Sequence, residues 1–345
     1  MSNTNTPGVT NAGVFTLDAA GGLPAAGFAL DAEAVASGGA FLASELEKRD
    51  MTIRKPLTSV TYPRDIPIKT GGGWVDYASA MAVAYGITGG SGEGAIHAGG
   101  ANAIPVVQAN LDKGLFKAHV FATTLRVMFV DMQRAAHIGR SLDQLLQDGI
   151  RLTYDKHMDE NVYRGFTGYG TTGLLNNPDV AETTVSTGAA GDTAWKSKTP
   201  AEILADINEA ITAVWAASDY DEDAVPNHVL LPYEQLLYLH NTMISDLGEK
   251  SIMKYIEENN FAAKKGTPLY FGATKWAKGA GTGGTDRMTV YCNNERFLCT
   301  EEFVPLSRVM TAPNVANVCY DTAYMANLSE VEIMYQQTIG YFDGI

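Results

Sequence analysis

Large apolar residues along this chain change their spacing several times, and each change marks a different kind of element. The clearest stretch is Ile203, Leu204, Ile207, Ile211, Val214 and Trp215, whose steps of three and four put one apolar face on a helix. Thr199-Pro200-Ala201-Glu202 precedes it, a capping box with Pro at the first helical position. Upstream, the spacing predicts a short helix over Asp131–Gly139 and a longer one that Ser141 caps. Leu142, Leu145, Leu146, Leu152, Met158 and Val162 give the longer helix its stripe. Running to Arg164, it would be about 36 Å long at 1.5 Å per residue.

Elsewhere the period falls towards two. Val60, Tyr62, Ile66 and Ile68 alternate with polar residues or proline, as a half-exposed strand would, and Pro63 and Pro67 confine it to an edge. Gly71–Gly73 turns the chain, and Trp74, Val75 and Tyr77 begin a return through 74–87. GGSGEGAIHAGG at 89–100 reads as a loop tip. Val106, Val107, Phe116, Val120 and Phe121 follow. Together 58–128 read as a long two-armed β-loop with too little apolar content to stand alone. A segment that cannot bury itself lies on a partner. Near the end, Val331, Ile333 and Tyr335 alternate with Glu332, Met334 and Gln336, a strand expected to return to the first lobe's sheet.

A second lobe is expected over 199–320. Asn227–Leu231 reads as a short buried strand, and Pro232 opens a helix through Leu236, Leu237 and His240. Ser251–Asn260 reads as another helix, with Ile252, Tyr255 and Ile256 inward. Pro268–Gly272 and Arg287–Cys292 read as strands joined by a Gly-rich hairpin loop at Lys278–Thr285. Between the lobes, the Gly/Asn/Pro run 165–180 and the polar stretch to Ser197 read as a hinge. Asn3–Gly39, rich in Gly, Ala, Thr and Asn, reads as an extended arm, with a short helix over Gly39–Asp50 carrying Phe41, Leu42 and Leu46. The class is α+β.

Composition sharpens this in three places. Hydrophobic residues are 46% of the 345 and charged residues 19%, which suits a folded chain of one large or two medium domains. A net charge of −14 argues against a sequence-reading nucleic-acid binder, because such a surface repels phosphates. The three cysteines, Cys292, Cys299 and Cys319, form no CxxC and are expected to be reduced thiols. The N-terminus carries no basic and apolar pattern of a signal peptide, so a cytosolic origin is expected.

Candidate chemistry does not assemble. Gly168–Gly173 matches GxGxxG but follows a helix and runs into Asn-Asn-Pro178, the wrong context for a dinucleotide. Gly279–Gly284 also matches but precedes a strand. Asp219-Tyr-Asp221-Glu-Asp223 opens like a calcium loop, yet position six is Ala224 and position twelve is Leu230. The six histidines form no HExxH pair, and His157, among Asp155, Asp159 and Glu160, reads as part of a charged exposed face. No catalytic residue, cofactor or metal ligand is assigned, and the chain is read as a non-enzyme.

The order of parts resembles the Hong Kong 97-type fold of tailed-phage capsid proteins, in the branch similar to encapsulins. The residues that carry the resemblance are Phe166-x-Gly168 and Gly173-Leu174-Leu175-Asn176 after the long helix, and Pro226-Asn227-His228-Val229-Leu230-Leu231-Pro232 later. The resemblance implies an N-terminal arm over 1–56 and an E-loop over 57–128. It implies a P-domain over 129–198 with a spine helix at 141–164, an A-domain over 199–300, and completion of both by 301–345. It also implies a self-assembling shell subunit in hexamers and pentamers, enclosing double-stranded DNA without reading its sequence. A portal protein and separate scaffolding or decoration proteins would be its partners, with no membrane. Its place would be the virion, after assembly in the host cytoplasm. Inter-subunit contacts are expected at Trp74, Tyr77, Gly90, Glu93 and His97 of the loop, and at Phe41 and Leu42 of the arm. Lys69 and Lys113 lie at the loop base, but nothing in the sequence marks a crosslinking partner for them. The alternative is an encapsulin-like shell enclosing protein cargo.

Overall fold

The structure, a computed structural model, describes residues 56, 58–88, 106–138, 142–244, 250–264, 266 and 268–345. The expected arm, its helix over 39–50 and the loop tip at 89–100 lie outside the described residues. Ser59–Ile345 forms one compact unit built on two five-stranded sheets.

The first sheet runs β1 (Ile68–Thr70), β8 (Leu298–Asn314), β9 (Cys319–Ile333), β3 (Val106–Met128) and β2 (Tyr77–Thr88) in spatial order. Only the β1–β8 pair is parallel. The segment expected to be an alternating strand from Val60 begins as the helical turn α1 (Tyr62–Asp65). Pro63 is the reason: its fixed φ suits the first turn of a helix and its missing N–H cannot join a ladder. Only Ile68–Thr70 joins the sheet.

Helix α2 (Phe129–Ile138) continues directly from β3, and α3 (Leu142–Arg164) lies against the first sheet. Along α3, Ile150, Tyr154, Met158 and Val162 are buried at steps of four, with Tyr163 beside them. This row includes Ile150 and Tyr154, which the sequence stripe omitted, while Leu146 and Leu152 are only half-buried. Polar ties fix the helix in register. Asn161 Nδ2 donates to Ser329 O at 2.9 Å, and Tyr154 donates to Glu302. Buried Asp159 accepts from Thr61 N at 2.8 Å and Trp276 Nε1 at 2.7 Å.

The segment expected to be a hinge is a helix cap followed by packed chain. Gly165 takes φ +62°, the left-handed residue that ends α3. Leu174 N and Leu175 N then return to the carbonyls of Val162 and Tyr163, and Asn176 Nδ2 reaches Arg164 O at 2.6 Å. These bonds satisfy helix-end acceptors. Leu174, Leu175 and Trp195 are fully buried, so the stretch is anchored at both ends.

The second sheet runs β4 (Glu182–Thr184), β10 (Ile339–Asp343), β7 (Arg287–Tyr291), β5 (His228–Leu231) and β6 (Tyr270–Ala273). Helices α4 (Pro200–Ala217), α5 (Tyr233–Asn241), α6 (Ile252–Asn259) and the turn α7 (Phe261–Lys264) belong to this lobe. The capping box forms: Thr199 Oγ1 accepts from Glu202 N, and Glu202 accepts from Thr199 N at 2.7 Å. Ile203, Ile207, Ile211 and Val214 of α4 enter a core with Val229, Leu231, Met288 and Val290.

Two strand readings are corrected here. Tyr270–Ala273 and Arg287–Tyr291 are not a hairpin, because β5 lies between them, parallel to β6 and antiparallel to β7. The Gly-rich loop crosses over instead, and Thr282 N bonds Asp343 at its far side. The strand through Val331 and Ile333 does join the first sheet, but it ends at Ile333 and buries Glu332 as well. A further strand, β10, then crosses to the second sheet.

Candidate assembly surface

β2 and β3 pair antiparallel over twelve residues, Tyr77 against Lys117 through Thr88 against Val106. At about 3.4 Å per residue the ribbon is roughly 40 Å long. The sequence of β2 alternates large residues with small ones: Tyr77, Met81, Val83 and Tyr85 fall on one face, with Ala78, Ala80, Ala82 and Ala84 between them. Directly across, Leu115 and Leu111 fall on that same face, opposite Ser79 and Val83.

Nothing in the described part of the chain covers this face. Tyr77 is 60% exposed, Met81 75%, Tyr85 77% and Leu111 69%. A two-stranded ribbon is marginal in water, and an apolar stripe of this length on a surface marks a binding face. Trp74, 56% exposed, stands at the ribbon's base beside Tyr77, so these two expected contact residues are available. Gly90, Glu93, His97, Phe41 and Leu42 lie outside the described residues. Sequence reading missed Met81, Tyr85, Leu111 and Leu115. The period-two alternation of large residues with alanine across 77–85 carries the signal for the two on β2.

A second exposed apolar group gathers where β8 turns into β9. Met310, Val315, Val318 and Tyr320 are exposed there, with Met128, Phe129 and Val130 beside them at the end of β3. Phe129 N bonds Val318 O, so the two chain segments present their apolar residues together. Arg126 grips Asp321 through two bonds at the same end, holding that carboxyl at about 2.

Buried charge in the molecule is used to join elements. Lys198 Nζ meets Asp206 Oδ2 at 2.5 Å, and Trp195 Nε1 bonds the same oxygen. Arg287 donates to both oxygens of Asp343, to Glu182 and to Leu175 O, and lies over the Tyr341 ring at 4.3 Å. The histidines, scattered in sequence, are partly brought together. His157 is not on a charged exposed face: it stacks on Phe166 at 4.5 Å, with His119 of β3 6.1 Å away. Burial holds the His119 imidazole down at about 4 and lowers His157 as well. The three cysteines are free and buried.

The family model for major capsid proteins matches residues 92–345. Among solved structures, the capsid of Myoviridae phage XM1 is similar over 88% of this chain and 98% of its own, with a TM-score of 0.71 at 16% identity. The capsid of the native GTA particle covers 90% of this chain and 98% of its own, with a TM-score of 0.63 at 13% identity. A structure from Microbacterium phage Oxtober96 covers 88% and 97%, with a TM-score of 0.59 at 13% identity. No curated protein matches the sequence.

Proposed function

The chain belongs to the major capsid protein family, and from that premise we propose that its copies close a phage head by laying the β2–β3 ribbon of each subunit across a neighbour. The observation that carries this is the apolar face of the ribbon, exposed from Tyr77 to Tyr85 and again at Leu111 and Leu115. A capsid subunit associates with itself, and heterologous contacts between identical copies close into rings when the rotation allows. Hexamers and pentamers built this way form an icosahedral or prolate shell. Each arm-on-neighbour contact is individually modest, and the closed shell multiplies it.

In this reading residues 1–56 are an arm and 57–128 an E-loop. Trp74 and Tyr77 touch the neighbour first. The 129–198 region with its spine helix forms the shell floor, and the 199–300 lobe meets its copies around the capsomer axis. The net charge of −14 suits a container that holds DNA without gripping it. The shell is assembled in the host cytoplasm around a portal, with scaffolding or decoration proteins supplied separately. An encapsulin-like compartment is the less supported reading, since the matching family is one of major capsid proteins.

The test is the pair Met81→Glu and Tyr85→Glu in one chain. Both side chains point to solvent, so the folded subunit should melt within a degree or two of wild type. Shell yield, read by negative-stain electron microscopy and light scattering, should fall at least tenfold. Wild-type shell yield from the double variant would remove the ribbon from the assembly interface.

A further inference from the structure

Cys299 and Glu301 stand two residues apart on β8 and so share one face of the first sheet. Glu332 of β9 is the direct cross-strand partner of Cys299. The Cys299 Sγ and one carboxylate oxygen from each glutamate all lie within 4.8 Å of one another. Cys299 and Glu332 are buried, Glu332 to 2% exposure, and Glu301 is half-buried.

One buried oxygen of this group is left without a partner. Glu332 Oε1 is buried with no hydrogen-bond partner. Its Oε2 has a long contact from Cys299 Sγ, at 4.0 Å. Ser329 Oγ donates to Glu330 O at 2.7 Å, accepts from Glu301 N at 2.8 Å, and also lies close enough to the Glu332 carboxyl to favour its ionised form. Lys69, paired with Glu301 across β1, bonds Glu295 O at 3.4 Å and also faces the Cys299 thiol and the Glu332 carboxyl, so its ammonium must swing aside for an ion to enter. A buried carboxylate oxygen left unpaired costs free energy that a bound cation would recover.

We propose that Cys299, Glu301 and Glu332 form a binding site for a thiophilic divalent cation of the zinc and cadmium class. One thiolate and two carboxylates supply three ligands, and water completes a tetrahedral set. The sulfur selects against magnesium and calcium, which take oxygen ligands only. Metal bonds of about 2.0–2.3 Å require the three ligand atoms to draw together by roughly 1 Å, within reach of side-chain rotation. The thiol proton leaves to solvent as the Sγ–metal bond forms. Glu301, half-buried, is the ligand through which solvent reaches the site. Because the ligands come from two strands far apart in sequence, the ion would bind only the folded sheet and clasp β8 to β9.

The test is a cadmium chloride titration of the full chain, followed by the ultraviolet sulfur-to-cadmium charge-transfer band. One cadmium per chain is expected, displaced by zinc chloride and unaffected by excess magnesium. Cys299→Ser should abolish the band. Glu332→Gln should weaken binding at least tenfold, and Cys292→Ser and Cys319→Ser should leave it unchanged. Circular dichroism confirms that each variant is folded. Should Cys299→Ser or Glu332→Gln fail to fold, the half-buried Glu301→Gln carries the same tenfold expectation. No band in the wild type, a band surviving in folded Cys299→Ser, or full affinity in folded Glu332→Gln or Glu301→Gln would overturn the site.

Discussion

Gly173 occupies a position that admits no side chain. A Cβ there would come within 2.5 Å of Arg164 N and of the Tyr163 carbonyl carbon, because the chain folds back over the end of α3. Gly168, five residues earlier, would place a Cβ in open space. The two glycines belong to the same GxGxxG match, and only one is required by packing. Gly173→Ala should therefore cost about 2–4 kcal/mol in urea unfolding, a value typical of a backbone clash, while Gly168→Ala should stay within about 0.5 kcal/mol. His119 is the second residue whose meaning came from its neighbours. It sits beside His157 and Phe166, and neither ring nitrogen has a partner. Its neutral form is favoured in the fold, with the folded value at about 4 against about 6.5 when unfolded. The unfolded chain thus binds more protons between those values. The stability from burying neutral His119 is fully present above about pH 6.5 and is lost as pH falls towards 4. Glu160 opposes the same trend at His157. Melting temperatures at pH 7 and pH 4.5 should differ less in His119→Phe than in wild type.

At the scale of elements, local chemistry and long-range pairing divided the work. Helix α4 was legible because its cap and its apolar steps are contained within eighteen residues. Thr199→Ala removes the side-chain acceptor for Glu202 N and should cost about 1 kcal/mol by chemical denaturation, with shell geometry unchanged. The strand pairings were not legible in this way. Tyr270–Ala273 and Arg287–Tyr291, with a glycine loop between them, carry the local pattern of a hairpin. Leu230 of β5 nevertheless pairs Gly272 on one side and Thr289 on the other. Nothing in either strand's own residues records that a third strand separates them. The ribbon is the opposite case, since neighbours in sequence are neighbours in space and the long β-loop could be read directly.

Across the whole molecule, one buried cation joins pieces that the sequence keeps far apart. Arg287 on β7 reaches Asp343 near the C-terminus, Glu182 on β4 and the Leu175 carbonyl beyond the spine helix. Its side chain is 3% exposed and that of Asp343 5%. Burial alone would raise the Asp343 carboxyl, and the guanidinium with Thr282 N outweighs it and holds the carboxyl below its usual range. Asp343→Ala would strand a buried guanidinium beside a half-exposed Glu182, and should cost about 3–5 kcal/mol in equilibrium unfolding. The loss should appear before any change at the ribbon, which lies on the other sheet. The sequence by itself determined the longer helices, the cap, the self-insufficient ribbon and the order of parts that resembles the family. Those features depend on periodicity and on steric rules that act over a few residues. Only the tertiary structure decided which strands are neighbours, that the expected hinge is a helix cap, and that Cys299, Glu301 and Glu332 meet. Those depend on contacts between residues far apart in the chain, whose closure no local pattern encodes.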